Sequence, residues 1–184
     1  MMKNAFEITL AILFIFSFLA DKTTALFIAS SRLPWLDVVF TSIINYMPTA
    51  AILGVVFVYI AIKKRNYLKP YIAAIASSGI ITVLLKIISD RARPFIALGI
   101  EKLPDISYYF ASWNQSFPSW HTVSLFLLVP FIDKKYRIIW FIIAAAIGLS
   151  RMYSNVHYLS DVLFGALLGY SISKLCIVHL KKKH

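Results

Sequence analysis

The chain has 184 residues, 60% of them hydrophobic and 15% charged, with 19 Lys+Arg against 8 Asp+Glu and a single cysteine. That balance, with a mean hydropathy of +0.76, excludes an ordinary soluble domain, where about a quarter of residues are charged. The lone Cys176 excludes an intrachain disulfide or a cysteine-rich metal site, and reads as a small apolar helix residue. The net charge of +11 would suit nucleic acid, but the basic residues fall in short segments between apolar runs. That is the pattern of a multi-pass membrane protein, so the bilayer is the expected partner, with no nucleic acid and no obligate protein partner.

Six apolar spans are expected, at roughly 5–20, 42–62, 70–88, 120–132, 137–150 and 158–178. The fold class is therefore an all-α membrane bundle, 1–184 as one domain. The first run follows Lys3 and resembles a signal peptide. A cleavage after Ala20 would put the bulky Phe18 at the minus-three position, so a retained first helix is expected. Residues 21–41, with Trp35 and Phe40, are expected to lie partly along the outer interface. Pro48 and Pro130 are expected to kink their helices. Residues 95–117 carry Tyr108, Tyr109, Phe110 and Trp113, either interfacial anchors or a lid. Gly165 and Gly169 form a GxxxG pattern, read as close packing within the monomer.

The basic residues divide unequally between the two ends of the spans. One set contains Lys3, Lys63, Lys64, Arg65, Lys69, Lys134, Lys135, Arg137, Lys174 and Lys181 to Lys183. The other contains Lys22, Arg32, Lys86, Arg91, Arg93, Lys102 and Arg151. The richer side is expected in the cytoplasm, with both termini. Spans four and five, at about 13–14 residues, reach only about 20 Å at 1.5 Å per residue, short of a hydrocarbon core of about 30 Å. With inner ends pinned by Asp133 to Arg137, His121 and Arg151 would lie recessed below the outer surface, where a lipid carries its phosphate.

Three segments on that outer face carry chemistry: KIISDRARP with Lys86 and Arg93, PSWH with Ser119 and His121, and SRMYSNVHYLSD with Arg151, His157 and Asp161. Asp161 follows His157 by four residues, so on a helix the two share a face. A carboxylate on one imidazole nitrogen leaves the other as a lone-pair nucleophile. Arginine grips phosphate oxygens in bidentate fashion and lysine adds a point charge. Ser119 is a good N-cap, Pro118 stiffens the approach to the helix, and the backbone N–H groups of Ser119 to His121 would open an anion site at the helix N-terminus. His121, on the same turn, is placed to protonate a leaving oxygen. Each feature alone has a plainer structural reading, a capped helix or a snorkelling cation. A two-metal mechanism needs several converging carboxylates or histidines, which this face lacks, so no metal and no cofactor are expected.

Together the segments resemble the signature of the type 2 phosphatidic acid phosphatase superfamily, K-x6-RP, PSGH and SR-x5-H-x3-D, in order and in internal spacing. The resemblance implies a six-helix membrane fold and a metal-independent phosphatase working through a phosphohistidine on His157, oriented by Asp161, with His121 as general acid. Lys86, Arg93, Ser119, Arg151 and the Trp120 backbone N–H would bind phosphate. Trp120 replaces the family's glycine, so Trp120, Arg91 and Trp113 are the substrate-pocket candidates. An aromatic ring there would favour a sugar-bearing lipid. The expected substrate is thus lipid A 1-phosphate, next undecaprenyl diphosphate, with phosphatidylglycerophosphate or phosphatidic acid as alternatives. The expected location is the bacterial inner membrane, the site facing the exterior. A non-catalytic phospholipid-binding protein is the alternative from another class.

Overall fold

A computed structural model describes residues 5–40, 49–101 and 114–181. Eight α-helices run in chain order through these residues. They are α1 Ala5–Ser30, α2 Pro34–Val39, α3 Thr49–Lys63, α4 Leu68–Ser89, α5 Pro94–Ala97, α6 Trp120–Leu128, α7 Arg137–Tyr153 and α8 Leu159–Leu180. Short 3-10 turns at Arg65–Tyr67 and Lys134–Tyr136 lead into α4 and α7, and one at Val129–Phe131 ends α6. Among the described residues there is no strand, only a single antiparallel bridge between Ala92 and Gln115.

Among the described residues, four helical stretches are long and apolar enough to cross a membrane: Ala5–Ser30, Arg65–Ser89, Lys134–Tyr153 and Leu159–Leu180. The other two expected spans appear as shorter apolar helices, Thr49–Lys63 and Trp120–Phe131. Large side chains such as Leu19, Ile88, Ile138 and Val178 face outward, as a lipid-facing surface requires, because apolar side chains lose nothing in hydrocarbon.

The short α6 sits at the centre. Residues 122–128 are all buried. One side joins Leu10 of α1, Ala144 and Ile147 of α7 and Ala166 of α8. The other joins Ile60 of α3, Tyr71 and Ala74 of α4 and Ile172 of α8. Protein surrounds α6, so its length need not match the bilayer. Its twelve residues with the terminal 3-10 turn span about 20 Å. Pro130 lies in that turn and ends the helix rather than kinking it. Pro48 lies outside the described residues.

The GxxxG pair explains how α8 reaches α6. A Cβ on Gly169 would stand 2.1 Å from the Val123 carbonyl oxygen, and one on Gly165 would stand 2.9 Å from the Ser119 carbonyl oxygen. The two backbones touch, and only hydrogen side chains fit between them. This is packing within one chain, as expected.

Two boundaries differ from the expected ones. α1 continues about ten residues past Ala20, without a break at Asp21 and Lys22. α7 extends to Tyr153, past the expected end at Ser150, so Arg151 lies in its last turn instead of after it. The segment after α1 forms the short α2, which docks on the end of α7. Tyr153 Oη–H donates to Asp37 Oδ1 at 2.7 Å, and the Phe40 ring lies 4.7 Å from the Tyr153 ring. Trp35 is exposed.

Candidate active site

The three motif segments meet at one end of the bundle, and backbone hydrogen bonds hold them there. α4 ends at Asp90, whose left-handed φ of 39° turns the chain. The turned segment pairs with the one before α6, Ser116 N–H donating to the Arg91 carbonyl at 2.7 Å. Lys86 Nζ, in the last turn of α4, donates to the Gln115 carbonyl at 2.9 Å. The first motif is thereby sewn to the second. The second is joined to the third by Ser119 N–H, which donates to the Asp161 carbonyl at 3.1 Å.

The third motif shapes its own loop. The Arg151 carbonyl accepts from Val156 N–H at 3.2 Å and from His157 N–H at 3.3 Å. Asn155 takes the left-handed conformation, φ 57°, which Asn tolerates better than most residues. The loop backbone also serves the first motif, since Arg93 donates from a terminal guanidinium nitrogen to the Val156 carbonyl at 3.2 Å.

His157 is buried in this frame. Its Nδ1 lies 2.7 Å from the Ser116 carbonyl oxygen, while Asp161 Oδ2 stands 3.6 Å from the same nitrogen. A carbonyl only accepts, so Nδ1 carries the proton and Nε2 presents a lone pair. The expected direct orientation by Asp161 is therefore delivered first by a backbone oxygen. Burial, then the positive charges of Arg93, Lys86 and Arg151, push the imidazole well below its ordinary pKa of 6.5. The ring is neutral at pH 7, the form a nucleophile needs.

Asp161 is fully buried. Oδ2 accepts the Tyr158 N–H at 2.7 Å, half of a reciprocal capping box at the start of α8. Oδ1 accepts from Arg91 at 2.8 Å. Arg91, a substrate-pocket candidate, also reaches Ser160 Oγ and Asp21 Oδ2, each at 2.6 Å. Asp21, on α1, was not singled out from the sequence. Its one signal was an acid inside an apolar helix, which needs a partner.

The remaining expected residues are also gathered here. Lys86 and Arg93 are largely buried and Arg151 is entirely so. The N–H of Ser119 is spent on Asp161, which corrects the expectation that it opens the anion site. Its hydroxyl lies on the same turn, where Thr122 Oγ1 donates to Ser119 Oγ at 3.0 Å. Trp120 begins α6, and its N–H has no intrahelical acceptor. The far edge of its indole lies 3.8 Å from where a Cβ on Gly79 would stand, so the ring runs along α4. His121 is partly buried on the same turn. Trp113, like Tyr108 to Phe110, lies outside the described residues. Among the described residues no group of three or more His, Cys, Asp or Glu could hold a metal ion.

The comparison with known families agrees with this arrangement. The PAP2 superfamily matches residues 67–184, which takes in all three motifs. This chain belongs to the PAP2 superfamily. A Bacillus licheniformis relative named bacitracin transport permease protein BcrC is 31% identical over 149 residues, 73% of this chain and 71% of that one. Phosphatidylglycerophosphatase B of Bacillus subtilis is 27% identical over 165 residues, 82% of this chain and 78% of that one. The crystal structure of Aquifex aeolicus LpxE superposes with a TM-score of 0.73 at 25% identity, covering 86% of this chain and 95% of that one. The chain is an integral membrane protein of a family of phosphatases.

Proposed function

We propose that the chain is a metal-independent phosphatase of a membrane lipid, working through a phosphohistidine on His157. The hydrogen bond from His157 Nδ1–H to the Ser116 carbonyl, at 2.7 Å, carries this reading. It aims an Nε2 lone pair out of a neutral ring that three cations surround. Nε2 attacks phosphorus, and the bond from phosphorus to the lipid oxygen breaks. The electron pair leaves on that oxygen, to which His121 gives a proton. Water then attacks the phosphohistidine, His121 takes the water's proton, and phosphate departs as His157 returns to its neutral form. Lys86, Arg93, Arg151, the Ser119 hydroxyl and the Trp120 N–H hold the phosphate oxygens throughout. Asp161, at 3.6 Å, faces the positive charge that develops on the ring.

Six spans, with both termini in the cytoplasm and the site at the outer leaflet of a bacterial inner membrane, fit the skewed Lys and Arg distribution. A phosphate site on the short, enclosed α6 suits a substrate that diffuses in from the bilayer. The substrates in order of preference are lipid A 1-phosphate, then undecaprenyl diphosphate, then phosphatidylglycerophosphate and phosphatidic acid. One relative carries the name of a phosphatidylglycerophosphatase, which keeps the third in view. Another is named a transport permease, which supports the second reading, a protein that binds or moves phospholipid without chemistry.

Phosphate release from these four pure lipids in detergent, with a chelator present, separates the readings. The wild type is expected to release phosphate from at least one lipid and His157→Ala from none. Retained function in His157→Ala would favour the non-catalytic reading, and abolition by the chelator would overturn the metal-free chemistry.

A further inference from the structure

Asp21 is a buried acid on a helix whose neighbouring residues, such as Leu19 and Phe18, face outward. A carboxylate at such a position is expensive unless it is paired. Its partners are specific. Oδ1 accepts the Ser160 backbone N–H at 2.9 Å, and Oδ2 accepts both the Ser160 hydroxyl and Arg91 at 2.6 Å. Arg91 carries the connection onward. The guanidinium nitrogen that does not touch Asp21 donates to Ser160 Oγ at 2.6 Å and to Asp161 Oδ1 at 2.8 Å. The guanidinium also lies over the Tyr158 ring, 4.1 Å from its centroid. One planar fork therefore joins two carboxylates from two helices, and one of those carboxylates faces the His157 ring.

We propose that Asp21 and Arg91 are positioning residues: with Ser160 they hold Asp161 in place and set the net charge that His157 meets during phosphoryl transfer. This rests on the phosphatase reading above. Arg91 fixes Oδ1 while the Tyr158 N–H fixes Oδ2, so Asp161 has no freedom to turn. Two carboxylates sharing one guanidinium leave the group with one net negative charge, which favours the cationic phosphohistidine. With Asp21 neutral, Arg91 would cancel Asp161 outright. The first helix thus belongs to the catalytic frame and is not only an anchor.

The test compares Asp21→Asn, Arg91→Gln and Ser160→Ala with wild type in detergent, on the lipid that wild type hydrolyses fastest. Steady-state kinetics, the pH profile and the thermal melt are measured for each. In Asp21→Asn and Arg91→Gln, kcat is expected to fall about 10–100-fold, the scale of a small misplacement at a reacting centre, with KM little changed. Besides Asp161, the charges facing His157 are Arg93, Lys86 and Arg151, and none of them is altered. Removing a negative charge then moves the acid limb of kcat/KM to lower pH in Asp21→Asn, and removing a positive charge moves it to higher pH in Arg91→Gln. Ser160→Ala keeps every charge, so its acid limb stays in place while kcat falls by a smaller factor. Should Asp21→Asn not fold, Arg91→Gln and Ser160→Ala carry the same contrast.

A raised KM with kcat unchanged in Arg91→Gln would make Arg91 a substrate contact and overturn the proposal. Activity falling only in step with the folded fraction, with the acid limbs unmoved, would overturn it too. A wild type that releases no phosphate from any lipid fails earlier and separately, by removing the phosphatase reading itself.

Discussion

α6 and α1 support the same site in opposite ways. α6 is short and enclosed on all sides, and it presents motif residues directly: Ser119, Trp120 and His121 stand at its N-terminus. α1 is 26 residues long and mostly lipid-facing, and its Asp21 reaches the site at one remove, through Arg91. The difference teaches where each kind of role can be built. Groups proposed to touch phosphate stand on a helix held by backbone contact, as Gly165 and Gly169 provide. A group that acts through another needs only a buried hydrogen-bonded chain, and that can start from a peripheral helix.

Changes at the enclosed end should do most damage. His157→Ala is expected to abolish turnover, a loss of about 10^4-fold or more by analogy with other covalent nucleophiles, read as phosphate release by a protein with an unchanged melt. Gly169→Ala places a methyl against the Val123 carbonyl oxygen, overpacking that costs roughly 3 kcal/mol or more. Its thermal melt should drop steeply and activity should go with it, whereas a tolerated alanine would deny that the two helices touch. The pH profile comes next in size. Because the His157 imidazole is pushed below 6.5, the proposed attack by its neutral form predicts that kcat/KM holds steady as pH falls through 6.5. It should decline only below that, as the ring finally protonates. A decline centred on 6.5 would place the ring in a watery, uncharged setting.

Smaller effects are expected from two other side chains. Trp120→Gly removes an indole that runs along α4, so the ratio of rates on lipid A 1-phosphate and undecaprenyl diphosphate should change. An unchanged ratio would remove Trp120 from substrate choice. At the opposite end, Lys64 Nζ meets Asp133 Oδ1 at 2.6 Å. Asp133 is well exposed there, and exposed pairs contribute little. Lys64→Ala should leave kcat unchanged on the same lipid.

The sequence disclosed the three motifs because they are particular side chains at fixed intervals, and these form a pattern. It disclosed six apolar runs for a similar reason. The supports were less visible. The partner of His157 Nδ1 is the carbonyl of Ser116, and a backbone oxygen has no side-chain signature. Asp21 and Lys22 read as the end of an apolar run, yet the helix continues because Arg91 and Ser160 satisfy the acid. Arg151 reads as loop for the same reason. In the fold, Arg151 is fully enclosed, and α7 runs on through it to Tyr153. Polarity that marks an end in an isolated helix marks a junction once a partner helix is present.

The central claim is that His157 forms a bond to phosphorus. Rapid acid-free quenching of enzyme with its lipid substrate, followed by mass spectrometry of the peptide containing residue 157, tests this most directly. The expected result is an acid-labile, base-stable phosphate on His157 that appears before free phosphate and is absent in His157→Ala. Steady phosphate release with no such adduct, or with the phosphate on another residue, would contradict it.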